Sequence, residues 1–338
     1  RLINYGGIIM HDLEFVNGEA SMAYVGETPW HGLGKKVPND ISPEQMLVTA
    51  GLDWQVVKKP LFYQDSEGKT KATNKVAIVR DTDDKLMTVV SKEWNPVQNL
   101  EAFKFFDDFV KGGDMEMHTA GSLRDGKMVW AMAQIKDSFE LFGGDKVDGY
   151  LLFSNPHEFG RSIDIRFTPI RVVCNNTLSF ALEQEANHFV KLSHRQEFNP
   201  DDIKSTLGIA KDKLAMYKEA AQFLGSKRFK KESILEYFNR VFPSMSYDEE
   251  KRKLIVEGLY KKEAVSRQAK EAMETLHTQP GAEFAEGSWW QAFNTVTYLT
   301  DHTLGRSKSA RLNSAWYGTN YKRKQQALQL ATEYAEVA

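Results

Sequence analysis

Between Leu299 and Lys324 the chain carries Arg306, Lys308, Arg311, Lys322, Arg323 and Lys324 against a single acid, Asp301. Tyr298, Trp316, Tyr317 and Tyr321 are interleaved with them. Cations spaced among rings suit single-stranded nucleic acid, because the charges follow the phosphates and the rings stack on bases. The competing reading is a helix-loop-helix whose rings pack inward and whose lysines are solvated. Arg161, Arg166 and Arg171 form a second candidate set for phosphate contact, on an extended run. Arg166 and Arg171 have opposite parity and point to opposite faces unless Pro169 makes a bulge. Asp164 and Arg166 share a face and can pair, which would leave a solvated outer face instead.

Cys174, in "IRVVCNNTL", is the only thiol in the chain. Asn175, Asn176 or Thr177 can cap a following helix, and a thiol at a helix N-terminus gains thiolate character. A cysteine nucleophile needs a histidine base and a group that orients it. His157, His188 and His194 are nearest in sequence, at no diagnostic spacing. A buried cysteine at a strand-to-helix junction is the other reading.

Other chemistries find little support. The eight histidines are scattered, with no His-Glu-x-x-His pair, so no metal is expected. Asp81, Asp83 and Asp84 fit a hairpin turn better than a calcium loop. Gly32 and Gly34 in "TPWHGLGKKVP" lack the strand and the Lys-Ser or Lys-Thr of a phosphate loop. Trp30 and His31 there suit a packed plug. No cofactor is expected. One cysteine excludes an internal disulfide framework and suits a reducing cytosol. No apolar run approaches the length of a membrane span. A formal charge of −2 means that any nucleic-acid surface is a local patch.

The elements that must position these residues follow from pattern. With 338 residues, 41% hydrophobic and 12% aromatic, the chain can bury one large core or two. Residues 1–9 read as a translated leader, since Gly6-Gly7 ahead of Met10 is what a ribosome-binding site would encode. Residues 10–60 read as irregular apart from a short helix at "DISPEQMLVTAG", with Ser42 as cap and Pro43 first, and "LDWQVVKKPLFY" reads as extended. "KVAIVR" and "KLMTVVS" predict a hairpin. "NLEAFKFFDDFVKGG" predicts one helix. "MEMHTAGSL" and "MVWAMAQI" predict a hairpin across Asp125-Gly126. "GYLLFSN" and "SIDIRFTPIRVV" predict another strand pair, with "NTLSFALEQEANHFVKL" as a helix.

From about 199 the pattern is helical. Ile203, Leu207, Ala210, Leu214, Tyr217, Ala221 and Leu224 form a seam that wants another helix, from this chain or a partner. Helices near 232–242 and 247–276, one at "SWWQAFNTVTYLTDHTL" capped by Ser288, and a last at "NYKRKQQALQLATEYAEV" complete the chain. The fold class is therefore α+β: antiparallel hairpins with packed helices over residues 10–195, then a helical domain over 196–338.

Four ordered stretches carry a resemblance: "ETPWHGLG", "WNPVQNLEAF", "FTPIRVVCNNTLSFAL", and "WWQAFNTVTYLTDH" followed by "SAWYG". Together they resemble a phage- and plasmid-borne family of unknown function, number nine-three-two, over Met10 to Tyr334. The resemblance implies a mobile-element gene and transfers no catalytic residue. A more distant fold-level likeness is to phage single-strand annealing proteins, in which an antiparallel meander carries a helix and the protein oligomerises on DNA. The expectation is a cytoplasmic nucleic-acid-binding protein of the bacterial host, with single-stranded DNA as partner and a homo-oligomeric state. The alternatives are an enzyme using Cys174 and a non-enzymatic interaction protein.

Overall fold

The computed structural model of the chain describes residues 13–27, 29, 32–171, 176–177, 189–192, 194, 206–244, 265–305 and 307–338. Among the described residues, thirteen strands fall in the first part: β1 (Phe15–Val16), β2 (Glu19–Ala20), β3 (Met22–Val25), β4 (Lys35–Val37), β5 (Val56–Gln64), β6 (Thr70–Arg80), β7 (Leu86–Ser91), β8 (Met115–Leu123), β9 (Met128–Leu141), β10 (Asp145–Pro156), β11 (Ile163–Arg171), β12 (Asn176–Thr177) and β13 (Phe189–Leu192). Helices α1 (Pro43–Thr49), α2 (Asn99–Lys104) and α3 (Asp107–Lys111) lie among them. The second part holds α4 (Thr206–Ser226), α5 (Lys231–Val241), α6 (Arg267–Thr275), α7 (Trp289–Tyr298), α8 (Lys308–Tyr317) and α9 (Thr319–Glu336). The architecture is α+β, as the pattern predicts.

The large sheet runs β12-β11-β10-β9-β8-β3-β4, with β13 also on β11. Its centre, β8 to β11, is an antiparallel meander. Asp125 and Gly126 take φ of 57° and 87° in the β8–β9 turn, the left-handed backbone that this dipeptide favours. Alternation in β9 divides the core by face. Val129, Ala131 and Ala133 point to a cluster holding Met46 of α1, Phe103 of α2, Phe109 of α3 and Ile78 of β6. Met128, Trp130 and Met132 point the other way, onto Leu312, Ala315 and Trp316 of α8. Helix α1 starts as expected. Ser42 accepts from the Gln45 backbone, Gln45 returns the bond, and Pro43 occupies the first position.

Three expectations need correction. Residues 99–111 form two short helices, α2 and α3, rather than one. Phe103, Phe105, Phe106 and Phe109 are all buried. On one straight helix the four rings would spread over about 160° of arc; with the break at 105–106, Phe105 and Phe106 meet edge to face, 4.9 Å apart. Residues 189–192, expected at the end of a helix, are strand β13, paired with Ile163–Arg166. The supposedly irregular start contains β1 to β4, and β3 pairs with β4 in parallel. The stretch expected to be extended does form a strand, β5, which joins the β6–β7 hairpin.

The helical part gathers Tyr217, Tyr237, Phe238, Trp289, Trp290 and Phe293 into one core, which extends to Phe139, Leu141 and Val147 of the sheet. Trp290 donates to Asp145 Oδ2 at 2.8 Å, tying α7 to the start of β10. The seam residues Leu214, Tyr217, Ala221 and Leu224 are buried in this core, so the chain itself covers that part of α4. Helix α7 is buried all round rather than on one face. Some of its polar side chains bond within the helix, with Asn294 donating to Trp290 O at 2.8 Å and Thr295 to Gln291 O at 2.9 Å. Among the described residues, no helix is long and apolar enough to cross a membrane.

Candidate nucleic-acid interface

The expected basic-aromatic strip lies on and beside α8, which crosses the outer face of the meander. Trp316 is 6% exposed and meets Trp130 edge to face at 4.8 Å. Arg166, from β11, reaches the same place. Its Nη1 donates to the Trp316 carbonyl at 2.6 Å and its Nε to Asp164 Oδ2 at 2.9 Å. The guanidinium lies 5.2 Å from the Tyr317 ring centre and 4.8 Å from that of Tyr321. Ser154 and Tyr317 share a hydrogen bond of 2.7 Å. Residues distant in sequence, Arg166, Trp316, Tyr317 and Tyr321, thus form one cluster. Its electrostatics are those of a closed joint. Burial pushes the Tyr317 and Tyr321 phenols up to about 12, with Arg166 pulling both back. Burial also works against the Arg166 charge, but Asp164 and the two phenols together outweigh it and hold its pKa above the ordinary value.

Trp316, expected to stack on a base, is nearly buried and packed against Trp130. Arg166, expected at a phosphate, has a side chain that is 11% exposed and paired with Asp164. Arg311 donates to the His302 carbonyl. Arg323 lies 5.7 Å over Phe242 and donates to Asn320 Oδ1 at 3.3 Å. Lys324 is buried against Asp301, with Nζ to Oδ1 at 2.8 Å. Arg161 is more open and pairs with Glu158, which Arg124 also meets. Arg161, Asp164, Arg166, Ser154 and Tyr317 line a recess of about 260 Å³. Lys322 is exposed. Arg306 lies outside the described residues, and only the backbone is described for Arg171 and Lys308.

Cys174, His188, Trp30 and His31 also lie outside the described residues. Two histidines weighed as bases for Cys174 have structural partners. His157 is fully buried and bonds Asn99 Oδ1 at 2.9 Å through Nε2; burial first, then His194 and Arg80, lower its pKa to about 3. His194 packs on Trp94 at 4.3 Å, and burial lowers its pKa too. Among the described residues, no group of three His, Cys, Asp or Glu is placed to hold a metal ion.

A second basic-aromatic region was not singled out in the sequence. Beyond Val76 the β5–β6 ribbon leaves the core. Val56, Val76 and Ile78 are buried, whereas most residues from Lys58 to Lys75 are exposed. That arm carries Lys58, Lys59, Lys69, Lys71 and Lys75 against Asp65 and Glu67, in a chain whose formal charge is −2. Phe62 is 57% exposed and Tyr63 is 53% exposed. Tyr63 pairs across the ribbon with Lys71, and Phe62 with Ala72, so the aromatic and cationic side chains interleave. Lys69 and Lys71 make surface ion pairs with Glu67 at 2.8 Å and Asp65 at 2.9 Å, contacts a phosphate can replace at little cost. The signal lay in "KKPLFYQ" and "KTKATNK": lysines at strand spacing around two aromatics.

No curated protein and no solved structure matches the chain. A family match does, from β7 through the meander to α8, and leaves the β5–β6 arm outside it. It covers residues 86–316, well over half the chain, which therefore belongs to the family described as Domain of unknown function (DUF932).

Proposed function

We propose that the chain binds single-stranded nucleic acid and that the β5–β6 arm is the surface that does so. One observation carries this reading: Phe62 and Tyr63 stand exposed among five lysines on a ribbon that projects from the core. Exposed rings without packing partners are available to stack on unpaired bases, and the lysines follow the backbone between them. A duplex hides the base faces that such rings need, so single strands are preferred over duplex. The phage or plasmid origin suggested by the resemblance fits a role in replication or recombination, where single strands are handled. Annealing of two strands further implies several copies acting together. No observation among the described residues favours the cysteine-enzyme alternative.

The test is anisotropy of labelled single-stranded and duplex oligonucleotides at low and rising salt, with light scattering on the complex. The reading expects saturable binding of the single strand, weaker duplex binding, steep loss with salt, and a complex holding more than one copy. Undetectable single-strand binding at low salt would remove it.

A further inference from the structure

A cavity larger than the arginine recess, of about 480 Å³, has Trp316 in its lining. Irregular strand pairing shapes its floor. The β8–β9 register shifts between Met117 and Thr119, which inserts His118 as an extra residue, and both His118 and Thr119 line the cavity. A second shift, beside Asp148 and Tyr150 of β10, adds those two side chains. The π-helical turn Leu299–Thr303 contributes Asp301.

Among the described residues, the charged side chains that line the cavity are all acidic: Glu27, Glu116, Asp148 and Asp301. Tyr24, Tyr150, Trp316, Met22 and Met132 supply rings and thioethers. Asp148 is 5% exposed, and its Oδ1 accepts no hydrogen bond, although Lys146 Nζ stands 3.1 Å away outside the cavity lining. His118 packs on Tyr150 at 4.9 Å, and its Nδ1 is likewise buried without a hydrogen-bond partner. Burial lowers the His118 pKa to about 4, against the pull of Asp148, so the imidazole is neutral at pH 7 and adds no cation. Asp301 is paired with Lys324, Glu116 with Lys136 at 3.3 Å and Asp148 with Lys146 at 3.1 Å; these three lysines stand outside the cavity lining, to which the carboxylates and the exposed Glu27 present negative charge.

We infer that this cavity binds a small organic cation, a protonated or quaternary amine carrying an apolar or aromatic body. The volume suits a small molecule, the carboxylates attract positive charge and exclude phosphate, and the rings and thioethers stabilise a cation with an apolar surround. The inference is independent of the arm, because a phosphate-bearing ligand is the class this cavity rejects.

Calorimetric titration of the full chain, without nucleic acid, tests it with benzylamine and phenyltrimethylammonium as probes. Benzyl alcohol and benzoate serve as neutral and anionic counterparts. Saturable binding of the two cations is expected, with benzoate undetectable. Asp148→Asn should weaken the cations by about tenfold, a change of about 1.4 kcal/mol. Glu27→Gln, at an exposed rim position, should weaken them by a smaller factor, and it carries the test if Asp148→Asn does not fold. Absence of saturable cation binding in the millimolar range would overturn the inference. So would benzoate binding as tightly as benzylamine, or unchanged cation affinity in every folded variant.

Discussion

The α8 strip and the β5–β6 arm have the same ingredients and opposite burial. Both mix lysine or arginine with aromatic residues. In the strip, Trp316 packs on Trp130, Arg166 is clamped by Asp164, and Lys324 is enclosed with Asp301. In the arm, Phe62, Tyr63 and Lys75 face solvent. Local composition is therefore silent on whether a cation–ring set holds a fold together or meets a ligand. The difference comes from what lies beneath. Helix α8 covers a sheet face that would otherwise expose Met128, Trp130 and Met132, whereas most residues of the distal β5–β6 ribbon are exposed.

The largest expected effect is in the strip. Lys324→Ala leaves Asp301 buried without its counter-charge, and stability in urea should fall by about 3–5 kcal/mol. The double variant Lys324→Met with Asp301→Asn should recover part of that loss. If Lys324→Ala is neutral, the strip is not a structural joint. The buried histidines give the next effect. His157 stays neutral in the fold down to about pH 3, whereas a free histidine protonates near 6.5. The unfolded chain therefore binds the extra proton between these values. Stability is complete above 6.5 and falls with pH toward 3, by about 1.4 kcal/mol per unit in mid-range. His157→Gln should flatten the slope of stability against pH by that amount, whatever it does to stability itself.

The arm should respond in binding and not in stability. Removing the charges of Lys71 and Lys75 should reduce the slope of log affinity against log salt by about 0.7 for each phosphate left without its lysine. An unchanged slope would mean that other residues neutralise the phosphates. The smallest effect sharpens the contrast: Phe62→Ala with Tyr63→Ala should shift the unfolding free energy by no more than about 0.5 kcal/mol, since both rings are largely solvated. A loss of several kcal/mol would show that the arm packs against something in solution.

Much of the fold was legible because local signals agreed with tertiary need. The Ser42-Pro43 start and the Asp125-Gly126 turn each announce one outcome. The Asp164–Arg166 pair followed from parity alone and is present. What escaped depended on distant partners. The break between α2 and α3 serves Phe153, a neighbour of Phe105 and Phe106 from another strand. The strand at 189–192 exists because β11 has a free edge there. For the candidate site, types were legible and burial was not. "SAWYG" and "KKPLFYQ" both read as aromatic with neighbouring cations, and only the sheet beneath α8 separates them. His118 gave no signal, because its place in the cavity depends on a one-residue register shift.

The central claim is that the arm, not the strip, is the nucleic-acid surface. Anisotropy of one labelled oligothymidylate at low salt, measured with three proteins, tests it most directly: the unmodified chain, Phe62→Ala with Tyr63→Ala, and Arg161→Gln with Lys322→Gln. The arm variant should lose about 10- to 100-fold in affinity, the contribution of one or two stacked bases. The strip variant should stay within about threefold of the parent. Loss confined to the strip variant, or no binding by the unmodified chain, would contradict the account.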